Sequence, residues 1–162
     1  MTGEQTEASE SRGEGAPEGV EALDHTADVG IRVEAPDLET LFRQVALGSL
    51  WLAVGEAASP GGPSPSEGET TRTVELEEED LDALLRSWSR EVLYWQEVED
   101  FLVREIPELE ITNREARVGL RAQVRGELSP VNPLREIKGV TWHGLEVHQR
   151  GSVWHAQVIY DV

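Results

Sequence analysis

The chain has 162 residues, 38% of them hydrophobic and none of them cysteine, which is enough apolar content for one ordinary domain and leaves no thiol for a disulfide framework or a thiolate metal site. Acidic side chains number 32 against 14 basic ones, a formal charge of −18, and such a surface repels nucleic-acid phosphate and argues against unaided RNA binding. No apolar run approaches the ~20 residues that span a bilayer, and the acidic N-terminus lacks a secretory core segment. A soluble cytoplasmic protein is expected.

Residues 1–21 are rich in Glu, Gly and Ser, lack apolar periodicity, and are expected to form a disordered acidic tail. Asp24-His25-Thr26-Ala27-Asp28 then sets two carboxylates and an imidazole just ahead of a short strand. In that strand Val29, Ile31 and Val33 point one way, and Arg32 and Glu34 the other. A polar cluster at the mouth of a buried strand is costly unless a metal, a substrate or a satisfied network holds it there. Asp-His-Thr can equally form turn and capping bonds.

Pro36 helps end the strand, and Asp37 is a good N-cap for a helix in which Leu38, Leu41, Phe42, Val45, Leu50 and Val54 recur near helical spacing. Residues 55–70, dense in Pro, Gly and Ser, predict a long flexible loop. Thr71 to Glu77 alternates, with Val74 and Leu76 inward, and predicts a strand. Asp80 can cap a second helix with the apolar stripe Leu81, Leu84, Leu85, Trp88, Val92 and Trp95. Its aromatic members keep the helical period and belong to the core rather than to a ligand cage. Glu97, Glu99 and Asp100 close this helix against its dipole, with Arg104 as the candidate to offset them.

Ala116, Val118, Leu120, Ala122 and Val124 alternate strictly and predict the clearest strand. Arg117, Arg121 and Arg125 share its other face. That stripe either docks an acidic partner or a phosphate or, the favoured reading, is solvated and paired with neighbouring carboxylates. Residues 129–133 make a loop. Val140 to His148 and Val153 to Tyr160 predict a hairpin about Arg150-Gly151-Ser152, where His148 and His155 need only a cross-strand surface role. Two helices among about six strands predict an α+β domain over residues 22–162. Its sheet is mixed and mostly antiparallel, with both helices packed on one face.

Two further features bear on chemistry. Lys138 is the only lysine in the chain. It is either a chance survivor on a strand edge or a position where a compact ammonium serves and a planar guanidinium does not. The sequence ends at Asp161-Val162, which sets a terminal carboxylate one residue from a side-chain carboxylate. If that end lies beside Asp28, three anionic oxygen groups converge and call for a neutralising cation. Oxygen-only ligands select a hard ion, Ca²⁺ ahead of Mg²⁺. On the residues alone, Asp161 reads first as an exposed chain end. No trustworthy Ser-His-Asp order, Gly-rich phosphate loop or HExxH pattern is present.

Four blocks taken together resemble the archease family. Asp24-His25-Thr26-Ala27-Asp28-Val29-Gly30-Ile31-Arg32 is similar to its opening motif, and Ile137-Lys138-Gly139-Val140-Thr141-Trp142-His143-Gly144-Leu145 to its second block. Trp154-His155-Ala156-Gln157-Val158-Ile159-Tyr160-Asp161-Val162 resembles the closing strand, and Leu84-Leu85 with Trp88, Glu91, Leu93 and Tyr94 the central helix. The loop over residues 55–70 departs from the family's briefer crossing. The resemblance implies an α+β fold with a small inserted module. It also implies a non-enzymatic accessory protein that activates an RtcB-type tRNA-splicing ligase by promoting its guanylylation, with tRNA met only through the ligase. It further implies a Ca²⁺ or other hard divalent cation such as Mg²⁺ on Asp28, Asp161 and Val162, the last through main-chain or terminal oxygens. Lys138 would be the functional basic residue, facing a phosphate or an acidic ligase group. His25 and His143 would be orienting groups that hydrogen-bond a carboxylate or the backbone. The competing readings are an independent metal-dependent hydrolase of a phosphorylated small molecule, with a closed pocket, and a chaperone-like binding module.

Overall fold

The computed structural model describes residues 15–24, 28–58 and 69–162. In chain order the elements are β1 (Val20–Asp24), β2 (Asp28–Ala35), α1 (Leu38–Val54), a 3-10 turn (Gly55–Ala58), β3 (Thr70–Glu78), α2 (Leu81–Val98), β4 (Phe101–Arg114), β5 (Arg117–Leu128), β6 (Gly139–Val140), β7 (Glu146–Arg150) and β8 (Val153–Asp161). The expected α+β class holds, with one difference of architecture. The strands form two sheets: one ordered β1-β2-β8-β6 with β7 also on β8, the other ordered β3-β5-β4. Every ladder among the described residues is antiparallel, so the sheet is not mixed.

Both helices start where a carboxylate can accept orphan amide hydrogens. Asp37 Oδ1 accepts from the Thr40 amide at 2.7 Å, and Asp80 Oδ1 from the Ala83 amide at 2.8 Å. α1 stops at Gly55, whose φ of 67° suits glycine, and where an added Cβ would meet Leu134 Cδ1 at 2.5 Å. α2 stops at Glu99, followed by Asp100 at φ 53°.

The helices cover one face of the five-stranded sheet and so decide which side chains the site can use. Residues opposite one another in an antiparallel pair share a face. Ile31, Val33, Val158 and Tyr160 face inward and are fully buried with Leu41, Phe42, Val45, Leu84, Leu85 and Trp88. Asp28, Gly30, Arg32 and Glu34 of β2, with Asp161, Ile159, Gln157 and His155 of β8, face away from the helices.

Several sequence expectations change. Val20 and Glu21, assigned to the tail, belong to β1, which pairs with β2; residues 1–14 lie outside the described residues. Gly55–Ala58, the start of the expected loop, is a 3-10 turn, and the loop's residues 59–68 also lie outside the described set. β4 went unread because Pro107 and two register shifts, between Val103 and Glu105 and between Glu105 and Glu108, break its alternation. Only Glu146–Arg150 pairs with β8 as the predicted hairpin; Gly139–Val140 is a separate strand, and residues 141–145 are not strand. The acidic end of α2 is offset by Arg72, 2.7 Å from Glu99, whereas Arg104 pairs with Glu127 at 2.7 Å. The arginine stripe of β5 is paired as the favoured reading has it: Arg117 with Glu77, Arg121 with Glu75, and Arg125 with Glu69 and Glu105.

Candidate functional site

Asp28 opens β2 and Asp161 closes β8, and the antiparallel register sets them directly opposite one another. On the other flank of β8, Gly139 of β6 is the register partner of Asp161. The three positions therefore form one row across the open face, at the end of the sheet. Asp28 is half-buried and Asp161 exposed. A Cβ at Gly139 would lie 4.0 Å from Asp161 Oδ2, so the absent side chain leaves room beside that carboxylate.

The row is held by its neighbours. The Lys138 amide donates to the Asp161 carbonyl at 2.8 Å, and the Thr141 amide to the Ile159 carbonyl at 3.0 Å. Between them, Tyr160 points inward; its hydroxyl bonds Ser49 Oγ, whose own hydrogen goes to the Val45 carbonyl at 2.8 Å. Burial pushes the Tyr160 phenol above its usual range, so it is a neutral anchor rather than an acid–base group. Gly30 lets β2 approach β8, since a Cβ there would meet the Val158 carbonyl oxygen at 2.7 Å.

The structure brings some sequence candidates together and separates others. Lys138 is exposed just ahead of β6 and is tied to Asp161 through its backbone amide. There it lines a cleft with Arg90, Glu91 and Tyr94. His143 is exposed in the 141–145 segment, where its carbonyl accepts from Thr141 Oγ1 at 3.0 Å. His25 lies outside the described residues, as do Thr26 and Ala27. His148 and His155 stack with centroids 5.0 Å apart, and His155 Nδ1 lies 3.4 Å from Glu34 Oε1, at the far end of the same face. Sequence reasoning missed Gly30 and Gly139, whose lack of a side chain could only be valued once the strands were paired.

The chemistry of the row suits a cation. Like charges directly opposite on neighbouring strands destabilise a sheet, and among the described residues no Lys, Arg or His pairs with Asp28 or Asp161. Carboxylate oxygens alone favour a hard ion over zinc or copper. Among the described residues no three His, Asp or Glu side chains gather as a metal-binding group. Two carboxylates would therefore need main-chain oxygens to complete a shell, and Val162 adjoins them.

Comparison with known proteins adds a family. Residues 21–162 match the Archease protein family. Protein archease of Methanosarcina barkeri is 31% identical over 145 residues, covering 88% of this chain and 94% of the relative. Protein archease of Thermococcus kodakarensis is 33% identical over 146 residues, covering 88% and 97%. The solution structure of protein 1598 from Methanobacterium thermoautotrophicum superposes with a TM-score of 0.69 and 26% identity over 89% of this chain and 99% of that one.

Proposed function

The chain belongs to the archease family, and on that basis we propose that it is an accessory protein of an RtcB-type RNA-splicing ligase. In this reading it promotes guanylylation of the ligase, and the nucleophile that takes the nucleotide belongs to the ligase. The observation that carries the reading is the placement of the Asp28–Asp161 row on the uncovered face of the sheet, with Asp161 exposed. A hydrolase acting alone would enclose its substrate and exclude water. A row at an open rim can instead be met by a second protein.

Asp28 and Asp161, with main-chain oxygens of Val162, would hold a Ca²⁺ or other hard divalent cation such as Mg²⁺ in the cell. When bound, the cation supplies concentrated positive charge toward phosphate or partner carboxylates. The residues of this chain do the positioning. The inward Tyr160 and the Lys138 amide fix Asp161 between two strands, and Gly30 sets the spacing of β2 against β8. Lys138 offers an ammonium one residue from the row, suited to a phosphate oxygen or an acidic ligase group. His143, exposed beside β6, can orient a carboxylate of the partner. tRNA is met through the ligase, because a chain of charge −18 repels phosphate at long range.

The test is a guanylylation assay on the host's RtcB-type ligase, with and without this chain. The chain should raise the rate of covalent nucleotide transfer to the ligase, and Asp28→Ala should lose most of that effect. GTP turnover by the purified chain without ligase, abolished by Asp28→Ala, would establish the hydrolase reading instead.

A further inference from the structure

The open face of the five-stranded sheet carries a second polar row, at the end away from Asp28 and Asp161. Glu34 of β2 is the register partner of His155 on β8, and His155 is the register partner of His148 on β7. The three side chains therefore cross three neighbouring strands on one face. His155 precedes Asp161 by six residues along β8, about 20 Å at the rise of a strand, so the two rows are separate places. Two of the chain's 4 histidines meet here. A surface role needs only the pair of rings, and the carboxylate in line with them asks for a further account.

The rings of His148 and His155 stack with centroids 5.0 Å apart and planes within 9° of parallel. Histidine χ2 is a broad torsion, so a small tilt brings one nitrogen of each ring to the ~3.4 Å separation that Zn–N bonds of about 2.1 Å require. His155 Nδ1 lies 3.4 Å from Glu34 Oε1. A carboxylate there favours the hydrogen on Nδ1 and leaves Nε2 with its lone pair, which is how an outer carboxylate prepares a histidine for a metal. Among the described residues no Lys or Arg pairs with Glu34. Arg32, in the adjoining row, donates instead to Gln157 Oε1 at 3.2 and 3.3 Å. The His155 side chain is 21% exposed, so its ring is held by its surroundings while an edge stays open to an ion from solvent.

We propose that His148 and His155 form a two-imidazole site for a borderline divalent ion such as Zn²⁺, with Glu34 orienting His155 from outside the ligand set and water filling the remaining positions. Imidazole nitrogen suits zinc, copper and nickel, whereas carboxylate and carbonyl oxygens suit calcium and magnesium. The two ends of the open face therefore take different classes of ion. With only two protein ligands the ion keeps open positions and exchanges with solvent. The inference does not rest on the accessory role, since binding is a property of the chain alone.

The experiment is calorimetric titration of the intact chain with Zn²⁺ in buffer holding excess Ca²⁺, which occupies carboxylate oxygens and leaves imidazole nitrogens free. The wild-type chain should bind Zn²⁺ under these conditions. Glu34→Gln should weaken it by about tenfold, the low end for a lost outer carboxylate, and His148→Gln and His155→Gln should each weaken it further. Glu146→Gln, which removes an equal charge beside Gln157 in the adjoining row, should change it little. A separate Ca²⁺ titration should give the same result for wild type and both histidine variants, so this site and the carboxylate row succeed or fail independently. Circular dichroism should show each variant folded. No Zn²⁺ binding, or Zn²⁺ affinity unchanged in both histidine variants, would overturn the proposal. Equal losses in Glu34→Gln and Glu146→Gln would overturn the orienting role of Glu34.

Discussion

Asp28 and Asp161 face one another across the β2–β8 ladder, with the Lys138 amide bound to the Asp161 carbonyl at 2.8 Å. Strand β8 is central because it pairs with β2 on one side and with β6 and β7 on the other. Its last residue is therefore held in place by two neighbours.

That placement depends on Gly30. A Cβ there would meet Ile159 Cδ1 at 2.6 Å and the Val158 carbonyl oxygen at 2.7 Å, and the backbone oxygen cannot move aside. Gly30→Ala should cost about 2 kcal/mol, the usual scale of overpacking. Thermal unfolding measures it, and an unchanged midpoint would contradict the close approach of the two strands.

The helix caps carry a second expectation. Asp37→Ala should cost about 1 kcal/mol in denaturant unfolding, since the Thr40 amide loses its acceptor. Hydrogen bonds from Thr40 hold the Asp37 carboxyl below its ordinary value of 3.8. Its contribution is therefore present above that value and lost as the pH falls through the lower folded value. The difference between wild type and Asp37→Ala should shrink in that acid range.

Asp82 behaves in the opposite sense. Burial raises its carboxyl above the ordinary 3.8, although Oδ1 accepts from the Val147 amide at 2.9 Å. A raised carboxyl favours the folded state most below the unfolded value, and that advantage is lost as the pH rises through the folded value. Asp82→Asn keeps an acceptor for Val147 and removes the charge. It should stabilise the fold at neutral pH relative to wild type, with the gain disappearing in acid. Unfolding curves at acid and neutral pH check the sign.

The ion pairs should differ in weight by their burial. Arg104 pairs with Glu127, with side chains only 15% and 11% exposed, and also donates to the Ala57 carbonyl. Arg104→Met leaves a buried carboxylate unpaired and should cost about 3 kcal/mol. Arg121→Met, at an exposed pair with Glu75, should cost less than about 1 kcal/mol. Chemical denaturation of the two variants separates the cases.

What the sequence made legible was periodic or capped. α1, α2 and the inner half of β5 follow from apolar spacing and from Asp37 and Asp80, whose acceptor roles hold. β4 stayed hidden because Pro107 and its bulges disturb the period that marks a strand. Arg104 was matched to the wrong carboxylate because sequence distance favoured the end of α2, while the fold brings Glu127 of β5 against it. The meeting of Asp28 with Asp161 was not readable from spacing at all, because it depends on pairing the first and last parts of the chain. It was expected only through the family resemblance, and the register places the two residues opposite one another. The cleft of Arg90 and Lys138 had no periodic signal, since it forms only when α2 packs beside β6.

The central claim is that the facing carboxylates hold a hard cation, and calorimetric titration with Ca²⁺ tests it most directly. The wild-type chain should bind one ion, Asp28→Asn and Asp161→Asn should each abolish the heat, and Glu75→Gln on the other sheet should leave it intact. Ca²⁺ binding of equal affinity in wild type and both aspartate variants would contradict it.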